Sequence, residues 1–201
     1  VCGHYDSTAG RTPGWSWLTG SAPGADDNGS GTAAVLEAAR VLSPYRFHYT
    51  LIFIAFSGEE QGLYGSAHYA QAAKAAGMDI GGVINLDMVG ENQELCRSTL
   101  MLDRTPDSLP SYLNDLMLNL MEQSVKEFDI PTDFGLASTF RQTENVHSGG
   151  SDHHEFVDST IGVPCVMLLQ WPDLFYHTSM DTIDKVSVDS LKRVGWIATV
   201  A

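Results

Sequence analysis

Two adjacent carboxylates, Glu59 and Glu60, come almost directly after a run of apolar residues. Residues 51–56 read LIFIAF, which is typical of a strand covered on both faces in a parallel sheet. Unpaired charge at the tip of a buried strand is costly, so we expect a cation beside these side chains. One carboxylate of such a pair can bind a metal ion while the other accepts a proton.

Imidazole and carboxylate groups that could share this cation recur along the chain. They follow apolar strands or lie in glycine-rich turns: His4, Asp6, Asp26, Asp27, Asp87 and His177. Zinc enzymes bind the metal through His nitrogen and carboxylate oxygen, and a two-metal centre also needs a bridging carboxylate. The sequence therefore predicts a metal site.

Three short motifs suggest individual roles. Strand alternation would put His4 and Asp6 on one face, so that the Asp6 carboxylate receives the second imidazole N–H. Residues 26–31 read DDNGSG, which fits either a metal-binding turn or an Asx-type turn that caps a helix. Tyr176 stands next to His177 and could donate a hydrogen bond to a developing oxyanion.

Strands and helices that would position these groups alternate along the chain. Apolar runs predict strands at residues 1–4, 50–56, 83–86, 100–102 and 163–169. Helical spacing predicts helices at residues 34–42, 64–76, 109–125 and 189–200. The polar stretch 141–153 is predicted to be a loop. This alternation predicts an α/β fold with a mostly parallel sheet, whose ligands gather at the carboxyl ends of the strands.

Length and composition limit the classes of protein and partner. A chain of 201 residues fits one domain, residues 1–201. The formal charge of -14 argues against nucleic acid and anionic membranes as partners. No stretch approaches the roughly 18 apolar residues of a membrane span. Cys2 and Cys165 are predicted to be buried free thiols, with one disulfide among the three cysteines left open.

The two ends of the sequence lie inside predicted elements. The chain begins at Val1, without Met, in an apparent strand, and it ends in a predicted helix. We therefore expect a fragment of a longer polypeptide, truncated at both ends. Secretion or a periplasmic location is the expected destination of the parent protein.

Six motifs in this order resemble peptidase family M28, the co-catalytic di-zinc aminopeptidases, over nearly the whole chain. They read HYDS at 4–7, DNGSG at 27–31, GEE at 58–60, NLDMVG at 85–90, SDH at 151–153 and YHTS at 176–179. The resemblance implies a three-layer sandwich of the zinc-exopeptidase type, with a mostly parallel central sheet flanked by helices. It also implies an aminopeptidase whose substrates are peptides with a free N-terminal amine, anchored near Glu59 and Asp87.

The resemblance further implies a ligand set for two Zn²⁺ ions, for which Mn or Co are possible substitutes. Asp27, rather than Asp26, would bridge the ions. One ion would be held by Asp27, Glu60 and His177, and the other by His4, Asp27 and Asp87.

The same resemblance implies roles for residues outside the ligand sets. Glu59 would be the general base, Asp6 the residue that orients His4, and Tyr176 a partner of the oxyanion. The peptide bond between Asp27 and Asn28 is expected to be cis.

Some positions depart from the family pattern or carry no motif. Gly150 stands where some secreted members have an Arg that helps bind substrate, and Arg141 is a candidate replacement. We expect a capping or supporting role for the segment that contains His153, and no ligand role for His153 or His154. His147 carries no motif and is expected to be structural or solvated.

Three alternatives remain open at this point. A carboxypeptidase or dipeptidase could use the same fold and metals, because specificity depends on loops. A non-catalytic, receptor-like binding module is disfavoured because the five ligands and Glu59 are all present. Glutaminyl cyclases resemble this fold but generally use one zinc, and the presence of both His4 and Asp87 disfavours that interpretation.

Overall fold

The computed structural model describes residues 1–201, except for the side chain of Leu136. The strands are β1 (Cys2–His4), β2 (Ile54–Phe56), β3 (Val83–Leu86), β4 (Thr99–Asp103), β5 (Ile130–Thr132), β6 (Gly135–Ala137), β7 (Gln142–Asn145) and β8 (Cys165–Trp171). The helices are α1 (Gly29–Leu42), α2 (Tyr64–Ala75), α3 (Gln93–Cys96), α4 (Leu113–Phe128), α5 (His153–Val157) and α6 (Val188–Val200), with a 3₁₀ turn at Ile183–Lys185.

Six strands form the central sheet in the order β2-β1-β3-β8-β4-β7. Strands β2, β1, β3 and β8 run parallel to one another. Strand β4 is antiparallel to β8, and β7 is parallel to β4. Strands β5 and β6 form a separate antiparallel pair. The prediction of a mostly parallel sheet is therefore confirmed.

Helices cover both faces of this sheet. On one face, α1, α4 and α6 pack on a core that is buried against β3, β4 and β8 and includes Val35, Leu86, Leu102, Met117, Leu168 and Ile197. On the other face, α2 and α5 pack on a smaller core that includes Phe56, Ala70, Phe156 and Cys165. Burial of apolar side chains on both faces stabilises the three-layer arrangement that the sequence predicts.

Two elements differ from the sequence prediction. Strand β2 begins only at Ile54 and lies at the edge of the sheet, and Leu51 and Ile52 are 45% and 40% exposed. An apolar run therefore did not distinguish an edge strand from a central one. Residues Gln142–Asn145, predicted as loop, form β7 instead. A polar edge strand needs backbone partners on one side only, and β4 supplies them.

Two smaller predictions are also settled by the structure. Cys2, Cys96 and Cys165 are buried free thiols. None of the helices in the described part of the chain is long and apolar enough to cross a membrane.

Candidate metal centre

The predicted metal ligands meet at the carboxyl ends of four neighbouring parallel strands. His4 is the last residue of β1, and Asp87 comes directly after β3. Glu59 and Glu60 lie in the turn after β2, and His177 lies in the loop after β8. Because these strands are adjacent, residues far apart in sequence end at one edge of the sheet.

One group of ligands surrounds the His4 imidazole, which is almost fully buried. Its Nε2 atom lies 3.4 Å from Asp27 Oδ1 and 3.4 Å from Asp87 Oδ1. The three side chains together present one nitrogen and two carboxylate oxygens to a common point. This donor set suits a divalent ion such as zinc.

A second group shares Asp27 with the first. His177 Nε2 lies 3.0 Å from Asp27 Oδ2 and 3.0 Å from Glu60 Oε2. Asp27 therefore turns one carboxylate oxygen toward each imidazole, as a carboxylate that bridges two ions must. The two groups correspond to the two ligand sets implied by the family resemblance.

The atoms of both groups fit bound cations better than they fit one another. Four buried atoms of these two ligand groups have no hydrogen-bond partner: His4 Nε2, Asp27 Oδ2, Glu60 Oε1 and Asp87 Oδ1. Buried polar atoms are normally satisfied, so each unsatisfied one requires an explanation. Ligand atoms bound to zinc at 2.0–2.2 Å in a tetrahedron lie about 3.3–3.6 Å apart, close to the distances between these groups.

The electrostatics of the imidazoles point the same way. Burial alone would lower the pKa of His4, but the neighbouring Asp87 and Asp27 raise it to about 12. Burial also opposes charge on His177, but the carboxylates of Asp27 and Glu60, each 3.0 Å from its Nε2 atom, raise its pKa to about 9. The carboxylates therefore attract positive charge, and a bound cation would supply it in place of protons.

Glu59 stands beside the first group and outside both ligand sets. Its Oε2 atom lies 3.9 Å from His4 Nε2, and its side chain is 11% exposed. Burial, reinforced by the charge of Asp87, raises the pKa of Glu59 to about 8. A carboxyl group whose pKa lies close to neutral pH can both accept a proton and return it during hydrolysis.

The structure corrects the predicted contact between His4 and Asp6. His4 Nδ1 donates to the Asp6 carbonyl oxygen at 3.0 Å, whereas the Asp6 carboxylate is 3.8 Å away. This bond keeps the proton on Nδ1 and leaves the lone pair of Nε2 free for a metal. The carboxylate instead accepts the backbone N–H groups of Gly58, Glu59 and Glu60, at 2.9, 3.3 and 3.2 Å.

The turn before α1 presents Asp27 and turns Asp26 away. Asp26 Oδ1 accepts the Gly90 N–H at 2.8 Å, and Asp26 belongs to neither ligand group. The Asp181 carboxylate accepts the N–H groups of Asp26 and Asp27, at 2.9 and 3.0 Å, and so fixes the backbone of the bridging residue. Asp181 has no role predicted from sequence, and its position four residues after His177 is the one signal that the sequence offers.

Asn28 completes this turn by joining α1 to the end of β3. Its Nδ2 group donates to the Leu86 carbonyl at 2.9 Å, and its Oδ1 atom accepts the Gly31 N–H at 2.9 Å. The Asp27–Asn28 peptide bond is cis, as the resemblance implied. The Asx-type cap, which the sequence left open as an alternative to a metal-binding turn, is therefore present beside the candidate ligand.

Tyr176 lies against the second group. Its ring stacks on His177, with the ring centroids 3.6 Å apart, and the Arg11 guanidinium lies 4.6 Å from its centroid. Burial and the surrounding carboxylates, Asp27 first among them, raise the pKa of the phenol. Tyr176 therefore stays protonated at neutral pH and can donate a hydrogen bond.

Two further residues clarify the boundaries of the centre. Arg141 does not face it as a free cation, because its guanidinium bonds to Glu94, Gln93 and Ser98. Glu91, which had no assigned role, is fully buried next to Asp26. Burial and the charge of Asp26 raise the pKa of Glu91 to about 11, so it is neutral at pH 7.

Comparison with known proteins places this geometry in a family. Peptidase family M28 matches residues 1–201. Aminopeptidase YwaD of Bacillus subtilis is 30% identical over 209 aligned residues, which cover 100% of this chain and 39% of that protein. A probable zinc metalloprotease of Pyrenophora tritici-repentis is 45% identical over 91 residues, which cover 45% of this chain and 20% of that protein.

A solved structure matches the fold as well. The zinc aminopeptidase BSAP of Bacillus subtilis superimposes with a TM-score of 0.74 and 30% identity, covering 99% of this chain and 43% of that one. The matched regions thus span from 20% to 43% of the lengths of these three proteins. The family match over the full chain and the common fold lead to one conclusion: the chain belongs to peptidase family M28.

Proposed function

We propose that this chain is the catalytic region of a zinc-dependent aminopeptidase, which hydrolyses the N-terminal peptide bond of peptides or proteins. The observation that carries the proposal is the position of Asp27 between two imidazoles, with Glu59 alongside. Relatives named aminopeptidase and zinc aminopeptidase support the same activity. A non-catalytic module would have no need of a partly buried acid beside two ligand sets.

We propose two ions, one for each ligand set, with Asp27 as the shared ligand. The supporting observation is that each Asp27 oxygen faces a different imidazole, at 3.4 and 3.0 Å. Zinc is the favoured metal because the donors mix imidazole and carboxylate, although Mn or Co are possible substitutes. Bound zinc would acidify water and polarise the scissile carbonyl.

The protein groups around the ligands would move and hold protons. Glu59 would accept a proton from the attacking water and return it to the leaving amine. Tyr176 would donate a hydrogen bond to the oxyanion that develops on the carbonyl oxygen. The protonated α-amine of the substrate would sit near Glu59 and Asp87, where negative charge is concentrated. That attraction would make the enzyme an exopeptidase acting on free N-termini.

Glu59→Gln tests the chemical step. The substitution keeps the size of the side chain and removes its ability to accept a proton. We expect kcat for a leucine p-nitroanilide to fall by about 10²–10⁴-fold, because general-base catalysis contributes that much. Zinc content should not change, since Glu59 lies outside both ligand sets. Glu122→Gln, on the exposed side of α4, is the matched control and should retain full activity.

The direction of cleavage is tested with the same substrate carrying an N-acetyl group. Acetylation removes the positive charge of the amine, so we expect the acetylated compound to resist cleavage. Equal rates for both compounds would exclude amine anchoring and favour another peptidase class on this fold. Full activity of the Glu59→Gln variant would contradict the proposed base.

A further inference from the structure

A third group of potential metal ligands lies away from the candidate metal centre. Asp103 is the last residue of β4, His147 follows β7, and His153 is the first residue of α5. Asp103 pairs with Met167 of β8, which pairs in turn with Asn85 of β3. Two strand spacings, about 10 Å, therefore separate Asp103 from β3, the strand that leads into Asp87.

The two imidazoles converge on the one carboxylate. His147 Nδ1 lies 3.8 Å from Asp103 Oδ1, and His153 Nε2 lies 3.7 Å from Asp103 Oδ2. The two rings meet edge to face, with their centroids 5.2 Å apart. All three ligand atoms lie within 4.8 Å of one another.

Hydrogen bonding does not account for this arrangement. The distances exceed the 2.7–3.2 Å of a hydrogen bond between nitrogen and oxygen. His153 is fully buried, and neither of its ring nitrogens has a hydrogen-bond partner among the described residues. Leaving a buried polar group unsatisfied costs stability. The His147 Nδ1 atom is likewise buried without a partner.

Hydrogen bonds from Ser148 hold the Asp103 carboxylate in place beside the two imidazoles. The Ser148 N–H donates to both of its oxygens at 3.1 Å, and the Ser148 hydroxyl donates to Oδ2. A single carboxylate facing two imidazole nitrogens is a common type of divalent-metal site, in which water occupies the remaining position.

We propose that Asp103, His147 and His153 bind one divalent metal ion of the zinc class, in addition to any ion at the candidate metal centre. The 3.7–3.8 Å separations need only small adjustments to reach those of ligands on one zinc ion. Access is available because the His147 side chain is 18% exposed, whereas Asp103 and His153 are closed off. The bound ion fastens the end of β4 to the segment after β7 and to the start of α5.

Neither histidine has a ligand role predicted from sequence, and the proposed site would change that expectation. The three residues have no motif spacing in common, and the fold alone brings them together. The inference goes beyond the proposed peptidase activity and does not depend on it.

The test compares zinc content between variants of the whole chain. Each protein is stripped of metal, saturated with Zn²⁺, passed through a desalting column and measured by mass spectrometry. We expect His153→Asn and Asp103→Asn to bind one zinc equivalent fewer than the wild-type chain. His154→Asn is the matched control: this exposed neighbour stacks on His147 but does not face Asp103, so its zinc content should be unchanged.

Because the test measures a difference in zinc content between variant and wild-type chain, it does not depend on how many ions the candidate metal centre binds. Circular dichroism of the metal-free proteins establishes that each variant folds. If the buried substitutions prevent folding, His147→Asn at the partly exposed position provides the same measurement. Equal zinc content in the wild-type chain and a folded variant of any of the three ligands would overturn the proposal. So would a loss of one equivalent in His154→Asn.

Discussion

Asp6 shows how a side chain outside the ligand sets can organise the candidate centre. Its carboxylate accepts three consecutive backbone N–H groups in the turn at residues 58–60. That turn carries Glu60, which faces His177, and Glu59, which stands near His4. Asp6 therefore sets the positions of a proposed ligand and the proposed base together.

Asp6→Asn should weaken this support without removing a ligand. The amide has one accepting oxygen, and its NH₂ group would face backbone N–H groups. We expect zinc affinity to fall by about 10–100-fold, as is typical when a partner of the ligands is lost. Competition with a chromophoric chelator measures the affinity. Asp79→Asn, at an exposed position, is the control, and equal affinity in the two variants would show that Asp6 has no positioning role.

The role of a single residue was predictable where both its side-chain type and its position relative to a strand or turn indicated that role. The candidate ligands could be found because each follows an apolar strand or lies in a glycine-rich turn, and parallel strands end at one edge. The contacts of Asp6 were not predictable, because they depend on how closely the 58–60 turn approaches from another strand. Asp181 and Asp103 escaped notice for the same reason, since their partners come from distant segments.

At the scale of elements, the centre depends on a close approach of α1 to the end of β3. A Cβ atom on Gly31 would lie 2.1 Å from the Leu86 carbonyl oxygen and 2.3 Å from Asn28 Oδ1. Glycine costs stability in a helix, yet here its lack of a side chain allows the helix to meet the strand. The same approach lets Asn28 bond to Leu86, next to the bridging Asp27.

Gly31→Ala should therefore destabilise the fold, by about 1–3 kcal/mol or more, because neither backbone can yield easily. Gly195→Ala on α6 is the matched control, since its Cβ atom would meet nothing within 4 Å. We expect that change to stabilise the protein by roughly 0.4–1 kcal/mol, through the lower entropy of the unfolded chain. Urea unfolding at a fixed zinc concentration measures both values. A neutral effect of Gly31→Ala would mean that the helix and strand are free to separate.

Elements were predictable from sequence in proportion to their apolar periodicity. Helices α1, α2, α4 and α6 bury one stripe of side chains and lie close to their predicted positions. Strand β7 has no apolar face to reveal it, because its place is set by backbone pairing with β4. The pairing of strands into one order is a long-range property, which no local pattern contains.

At the scale of the whole molecule, several acidic groups are removed from solvent. Asp26, Glu59 and Glu91 all have a raised pKa, with burial as the main cause. The formal charge of -14 is thus lowered in magnitude by protons that the folded chain retains, and bound cations would lower it further. Protons and metal ions therefore compete to neutralise the same buried carboxylates, and the stability of the folded chain should depend on both pH and metal.

The sign of this dependence follows from the pKa shifts of the metal-free chain. His177 is raised from 6.5 to about 9, so its stabilising contribution is present below pH 6.5 and is lost as pH rises through 9. Glu59 is raised from 4.5 to about 8, and its contribution is lost as pH rises through 8. The metal-free protein should therefore become less stable between pH 5 and pH 9.

Bound zinc should offset this loss of stability as pH rises, because the ions replace protons at the same groups. At 100 times its dissociation constant, each ion stabilises the native state by about 2.7 kcal/mol. We expect the difference in melting temperature between zinc-saturated and chelated protein to be small near pH 5.5 and to increase through pH 7 to 8.5. Thermal unfolding in matched buffers measures it. A difference that stays constant, or shrinks as pH rises, would mean that the clustered acids and imidazoles do not exchange protons for metal.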